Sequence, residues 1–137
     1  MSSENVMRLW NDGMLSGQIR PKTQVVVKTA SYTVTPKDFG TVLTNRGATA
    51  AVTFTLPAAD AANNGEWVLF YNVANYNLIV AGADEGLVAF NDLTADSLGY
   101  ETTNEKIGGA FLAVSDGTSW LILIISQETQ TVTVHSA

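Results

Sequence analysis

Catalysis by side chains needs a group that exchanges protons near neutral pH, or a nucleophile with a base beside it. This chain is poor in both. His135 is its only histidine and stands near the end of the 137 residues, and there is no cysteine. Neither a histidine-dependent triad nor a multi-histidine or thiolate metal site can be assembled in one chain. His135 reads as part of a mobile tail. Paired carboxylates are the other route to hydrolysis, because two acids flanking a bond can protonate a leaving group and activate a water. The candidates are Asp84 with Glu85, Asp92 with Asp96, and Glu101 with Glu105. All lie in polar, turn-rich stretches with nothing apolar nearby to raise a pKa, the setting of solvated loop carboxylates. Asp84, Asp92 and Asp96 also lack the regular alternation of a calcium loop. Gly108-Gly109 precedes a strand pattern, so no helix N-terminus is there to cradle phosphate. The expectation is a protein that is not an enzyme and holds no cofactor or metal.

Recognition rather than reaction would use the aromatics. Trp67 and Trp120 fall inside apolar runs and read as core, whereas Tyr76 and Tyr100 stand beside turn residues and read as exposed. With the polar stretch from Asn91 to Glu105, those two tyrosines would form the recognition surface of a glycan- or receptor-binding module.

The elements that must position these residues are almost all strands. From Gln24 onward short runs such as Val25-Val26-Val27, Tyr32 to Thr35 and Thr41 to Thr44 each stop at Pro, Gly or Asn. Ala51 to Leu56 alternates, with Val52, Phe54 and Leu56 on one face. Glu66 to Asn72 is nearly continuously apolar, which predicts burial on both faces, and Leu78 to Ala81 reads as the second half of a hairpin with it. Leu87 to Phe90 is a further strand. Asn91 to Lys106 has no clear period and reads as a long surface excursion with one helical turn near Leu93. Gly109 to Ser115 and Trp120 to Ile125, joined by Asp116-Gly117-Thr118, form the clearest hairpin, and the second strand reads as too apolar to be half solvated. Gln130 to Val134 alternates again, as an edge strand or one that swaps onto a neighbour. Nine or ten short strands with frequent turn signals predict an all-β domain, a β-sandwich or jelly-roll-like fold, over residues 24–137.

Residues 1–23 differ. Val6, Leu9, Trp10 and Met14 recur at helical spacing after Ser3, and Asn11-Asp12-Gly13 is a stop signal. A helix this short is marginal alone in water. The stretch therefore reads either as an arm that docks on a partner or as a segment that returns to its own domain or stays disordered.

Composition narrows the partners. Hydrophobic residues make up 46% and charged residues 15% of the chain, against a usual charged share of about 25%. Part of the ordinary solvated surface is missing, as if another protein chain covered it. With 13 acidic and 7 basic residues the net charge is -6, and no basic cluster is present to contact phosphates, so nucleic acid is not expected. No run approaches the roughly 20 apolar residues of a membrane helix, and no signal-peptide pattern opens the sequence, so no membrane partner is expected and synthesis in a host cytoplasm is.

Four segments carry a resemblance. Tyr32 to Gly40, Thr44 to Ala48 with Val52 to Ala59, and the Asp116-Gly117-Thr118-Ser119-Trp120 turn together resemble a β module common in tailed-bacteriophage virion proteins, over roughly residues 30–126. Such modules occur in capsid decoration (cement) proteins, head fibres and tail-fibre domains. A module standing nearly alone, with a short arm and no shaft or heptad repeat, is most similar to a decoration protein. The resemblance implies a homotrimer on the outer capsid surface of the virion, with the major capsid protein as partner and the arm residues Leu9, Trp10, Met14 and Leu15 as its contacts. The alternative it leaves open is a receptor- or glycan-binding head-fibre or tail-fibre domain. A protein that binds only the assembled shell stabilises that shell by mass action.

Overall fold

The computed structural model describes residues 22–136. The arm and its contacts Leu9, Trp10, Met14 and Leu15 lie outside the described residues. The remainder is an all-β sandwich of twelve strands: β1 (Val25–Val27), β2 (Tyr32–Thr33), β3 (Val42–Thr44), β4 (Val52–Thr55), β5 (Trp67–Tyr71), β6 (Leu78–Ala81), β7 (Leu87–Ala89), β8 (Asp92–Ala95), β9 (Ser97–Tyr100), β10 (Ala110–Ser115), β11 (Trp120–Ile125) and β12 (Thr133–His135).

The strands form a seven-stranded sheet ordered β1-β3-β5-β10-β11-β7-β8 and a five-stranded sheet ordered β12-β9-β6-β4-β2. The first six strands alternate between the sheets, and successive strands within a sheet are parallel: Val42 pairs with Leu69, Tyr32 with Phe54, and Val52 with Leu78. The first half of the domain is thus a flattened coil, each turn adding one strand to each sheet. The second half closes it with antiparallel pairs, except that β7 runs parallel to β11. β10 pairs with β5 on one side and β11 on the other, and β9 pairs with β6 and β12.

Side chains on alternate positions of both sheets meet in one core. Leu43, Val68, Phe70, Phe111 and Trp120 come from the larger sheet, and Val52, Phe54, Leu78, Leu98 and Tyr100 from the smaller, all fully buried. Phe54 and Phe70 face each other across the layer with ring centroids 5.1 Å apart, a separation at which tilted aromatic pairs attract beyond their burial.

The coil places asparagines in register at one of its corners. Asn45 follows β3 and Asn72 follows β5, both fully buried. Asn45 Nδ2 donates to Asn72 Oδ1 at 2.9 Å, the Val73 N–H donates to Asn45 Oδ1 at 2.7 Å, and Asn72 Nδ2 donates to the Tyr76 carbonyl at 3.1 Å. Buried turn backbone must find partners somewhere, and stacked amides supply them where the sheet ladder ends.

Several expectations are corrected here. β5 and β6 do not form a hairpin, because the chain crosses to the other sheet between them. The stretch from Asn91 to Lys106 is not a loop with a helical turn. It contains β8 and β9, whose Leu98 and Tyr100 are core. Gly99 faces outward between them, and a Cβ there would lie 2.9 Å from the Ile79 side chain. His135 is not in a mobile tail: β12 pairs antiparallel with β9, and His135 is opposite Ser97. That pairing makes the last strand an edge of the smaller sheet.

Candidate interaction surface

A sandwich has two outward faces, and in this molecule they differ in chemistry. On the five-stranded sheet the outward positions include Thr33, Thr53 and Thr55, then Ile79 and Ala81 at the centre, and Ser97, Thr133 and His135. That is an ordinary half-solvated face, apolar inside and hydroxyl-rich outside.

The outward positions of the seven-stranded sheet follow from its register. Leu112 stands opposite Leu69 on one side and Leu123 on the other, and Val114 stands between Trp67 and Leu121. Tyr71 and Ile125 extend the rows past Ala110, and Val42 and Val25 continue the Leu69 row toward the edge. None of the outward positions on β1, β3, β5, β10 and β11 carries a charge. Val25 is 64% exposed, Leu123 50%, and Ile125 51%, so the described residues leave the face open. Trp67, Leu69, Leu112, Val114 and Ile125 line a shallow hollow in it. Contiguous apolar patches of this kind are uncommon on the surface of monomeric proteins.

The continuous apolar runs of β5, β10 and β11 signal this surface in the sequence, but they predict burial on both faces. Among the described residues one face is covered by the core and the other is left open. Trp67 accordingly lies on the outward surface rather than in the core, while Trp120 is fully buried as expected.

The residues singled out for chemistry differ in their surroundings, and one of them, Glu105, has a buried Oε2 without a hydrogen-bond partner among the described residues. Asp84 and Glu85 sit in the exposed turn between β6 and β7 with φ of 48° and 57°. Asp92 accepts from the Thr94 N–H at 2.8 Å, and hydrogen bonds from Ser136 and then Thr94 hold its carboxyl below the usual range. Glu101 Oε2 lies 2.9 Å from His135 Nε2 on the smaller sheet's outer face. Among the described residues no group of three or more His, Cys, Asp or Glu side chains could hold a metal ion. Tyr76 is 41% exposed, but Tyr100 is fully buried. The expected pairing of those two tyrosines on one recognition surface is therefore overturned: alternation with Leu98 points Tyr100 inward.

A cleft of about 460 Å³ is lined by Phe39, Pro57, Asp60, Asn63 and Glu66, among others. Its size suits a small ligand, but its amide is already engaged. Asn63 Oδ1 accepts from the Asp60 N–H at 2.9 Å and the Ser115 hydroxyl at 2.7 Å, and Asn63 Nδ2 donates to the Ala58 carbonyl at 3.0 Å. The cleft is a stitched loop.

The segments that carry the phage resemblance converge on Trp120. Its indole N–H donates to the Pro57 carbonyl at 2.7 Å, and the Phe39 ring packs 5.9 Å from it. Asp116 Oδ1 accepts from the Thr118 and Ser119 N–H groups at 2.9 and 2.8 Å, which holds its carboxyl below the usual range, and Gly117 takes φ 88°. The Asp caps the turn, the Gly permits it, and the Trp plugs the core. These residues define a fold rather than a reactive site.

The molecule is thus an all-β sandwich whose distinguishing surface is an uncharged, apolar sheet face. No protein-family model matches the chain, and no curated protein matches it at a significant level.

Proposed function

We propose that this protein is a structural component of a tailed-phage virion, a decoration (cement) protein that binds the outer surface of the capsid and stabilises it, acting as a homotrimer. The observation that carries the reading is the contrast between the two outer faces. A protein that works alone in solution has no use for a sheet face of Val, Leu, Ile, Trp and Tyr without a charge, whereas a protein built into an assembly does. The resemblance of residues 30–126 to phage virion modules supports the choice of assembly. In this reading Leu9, Trp10, Met14 and Leu15 contact the major capsid protein, and each bound copy deepens the assembled state by its own binding free energy.

The test is co-sedimentation with capsids of the phage that encodes it. Replacing Leu9, Trp10, Met14 and Leu15 with serine abolishes binding while the β domain still unfolds cooperatively. Unchanged binding by that variant removes the arm from the contact, and absence of binding by the unaltered chain removes the decoration role.

A further inference from the structure

We infer that Asn64 with Gly65 is a latent self-modification site, shut in the folded chain because the nucleophile it needs, the Gly65 backbone nitrogen, is held by the end of β10. The site becomes reactive when the loop between β4 and β5 comes away from that strand.

The chemistry is that of a side-chain amide followed by glycine. The Gly65 nitrogen attacks Asn64 Cγ, a new C–N bond closes a five-membered imide ring, and the Asn64 amide nitrogen leaves as ammonia, carrying the proton that the Gly65 nitrogen gives up. Water then adds to either imide carbonyl and opens the ring, leaving aspartate or isoaspartate at position 64. Water is the only co-reactant. Glycine favours the attack because no side chain hinders its nitrogen, and residues 64 and 65 are the only Asn-Gly pair in the sequence.

Two features leave the carbon under attack accessible. The Asn64 side chain is exposed, and the amide that stitches the loop belongs to Asn63 instead. Asn64 Cβ and Cγ lie 3.5 Å from where a Cβ on Gly117 would stand, so the missing side chain at position 117 leaves room beside them.

The nucleophile, in contrast, is engaged. The Gly65 N–H donates to the Ser115 carbonyl at 2.8 Å, and the Ser115 N–H donates back to the Glu66 carbonyl at 2.9 Å. The Ser115 hydroxyl donates to Asn63 Oδ1 at 2.7 Å, which ties the same strand end to the loop a third time. The Glu66 N–H donates to the Asn63 carbonyl at 2.9 Å and Gly65 takes φ 87°, a tight turn that glycine makes without strain at its third position. The Gly65 nitrogen thus directs its hydrogen at β10. Ring closure requires the contact with Ser115 to break, which a local opening accomplishes without global unfolding.

The result is a one-way mark on chains that have opened. The product adds a carboxylate to a chain already at -6, three residues or fewer along the chain from Glu66 and four from Asp60, and like charges this close oppose closure of the turn. Isoaspartate also lengthens the backbone by one carbon, so the bonds to Ser115 lose their register.

The test incubates the full chain at mildly alkaline pH, folded and in guanidinium chloride, and follows position 64 by peptide mapping that separates aspartate from isoaspartate. Asn64 is expected to react at least about 100-fold more slowly folded than unfolded, with the Gly65 amide hydrogen exchange slowed by a factor within about tenfold of that, since both need the same opening. Asn63→Ala removes the three side-chain bonds of the loop and should raise the folded rate at least about tenfold while the unfolded rate stays the same. Should Asn63→Ala fail to fold, Ser115→Ala, which removes the hydroxyl link, takes its place. Equal rates folded and unfolded, a Gly65 amide that exchanges as freely as in the unfolded chain, a folded rate unmoved in the folded variant, or faster reaction at another asparagine in the unfolded chain overturns the inference.

Discussion

The Tyr100 hydroxyl lies 2.9 Å from the Ala110 carbonyl and 3.0 Å from that of Ile125, so a side chain of the five-stranded sheet reaches across the sandwich to two strands of the other. Its ring stacks on Phe111 with centroids 4.6 Å apart. Burial pushes its phenol from the ordinary 10.0 up to about 12. A phenol whose pKa is higher in the folded state binds more protons folded than unfolded between those values. Its contribution is whole below pH 10 and is lost as pH rises toward 12, by an amount on the order of 2 kcal/mol. Tyr100→Phe should remove that alkaline loss and cost about 1 kcal/mol at neutral pH through the missing hydrogen bond, both measurable by urea unfolding at a series of pH values.

The same ring explains a glycine. A Cβ at Gly109 would lie 2.5 to 2.7 Å from three Tyr100 ring atoms. The ring is held by stacking and hydrogen bonding and cannot swing aside. Gly109→Ala is expected to destabilise by about 1–3 kcal/mol as an overpacked core, and Gly109→Ala combined with Tyr100→Leu should recover part of that loss. Additive losses in the double variant would show that the ring is not the obstacle.

The buried amide pair gives a sharper test. Asn45→Ala leaves the Val73 N–H and one Asn72 oxygen lone pair without a partner, at a cost of about 1–3 kcal/mol. Asn45→Asp keeps the acceptor for Val73 but places a carboxylate against Asn72 Oδ1, so it should cost more than alanine near neutral pH and less once acid neutralises it. Thermal midpoints at two pH values decide the matter. Equal midpoints for the two variants at neutral pH would mean that the amide pair is not as closed as its geometry indicates.

Like Asp92 and Asp116, whose carboxyls are also held low, Asp38 contributes to the acid side. Burial opposes its ionisation, but hydrogen bonds from the Tyr32 hydroxyl at 2.6 Å and from the Thr35 N–H at 2.9 Å outweigh it and hold the carboxyl below its ordinary value of 3.8. A depressed folded pKa means stability that is fully present above about pH 4 and is lost as pH falls through the folded value. Asp38→Asn should flatten the acid limb of a stability-against-pH curve and lower the plateau. An unaltered acid limb would place the titrating group elsewhere.

The sandwich class and the position of most strands were legible in the sequence. Val52, Phe54 and Leu56 alternate with threonines, the Asp116-Gly117 turn joins two apolar runs, and prolines and glycines mark the stops, because period and turn chemistry act over neighbouring residues. The scarcity of reactive groups was legible too, since a lone histidine and no cysteine are facts of composition. Two strands were missed. In β8 and β9 the outward Leu93 is 75% exposed and Gly99 interrupts the apolar row, so the local pattern looked polar although Leu98 and Tyr100 are core.

The β10–β11 hairpin was read correctly, but which neighbour the other strands take was decided only in the tertiary structure. A strand pattern specifies two faces but not a partner, so β5 and β6 looked like a hairpin when the chain instead carries them to opposite sheets. The candidate surface has the same origin. The apolar runs of β5, β10 and β11 read identically whether their second face is covered by the same chain or by another molecule. Only the assembled sheet shows that one side lies on the core while the other is left open by the described residues, because burial is a property of what packs above a residue and not of its neighbours in sequence.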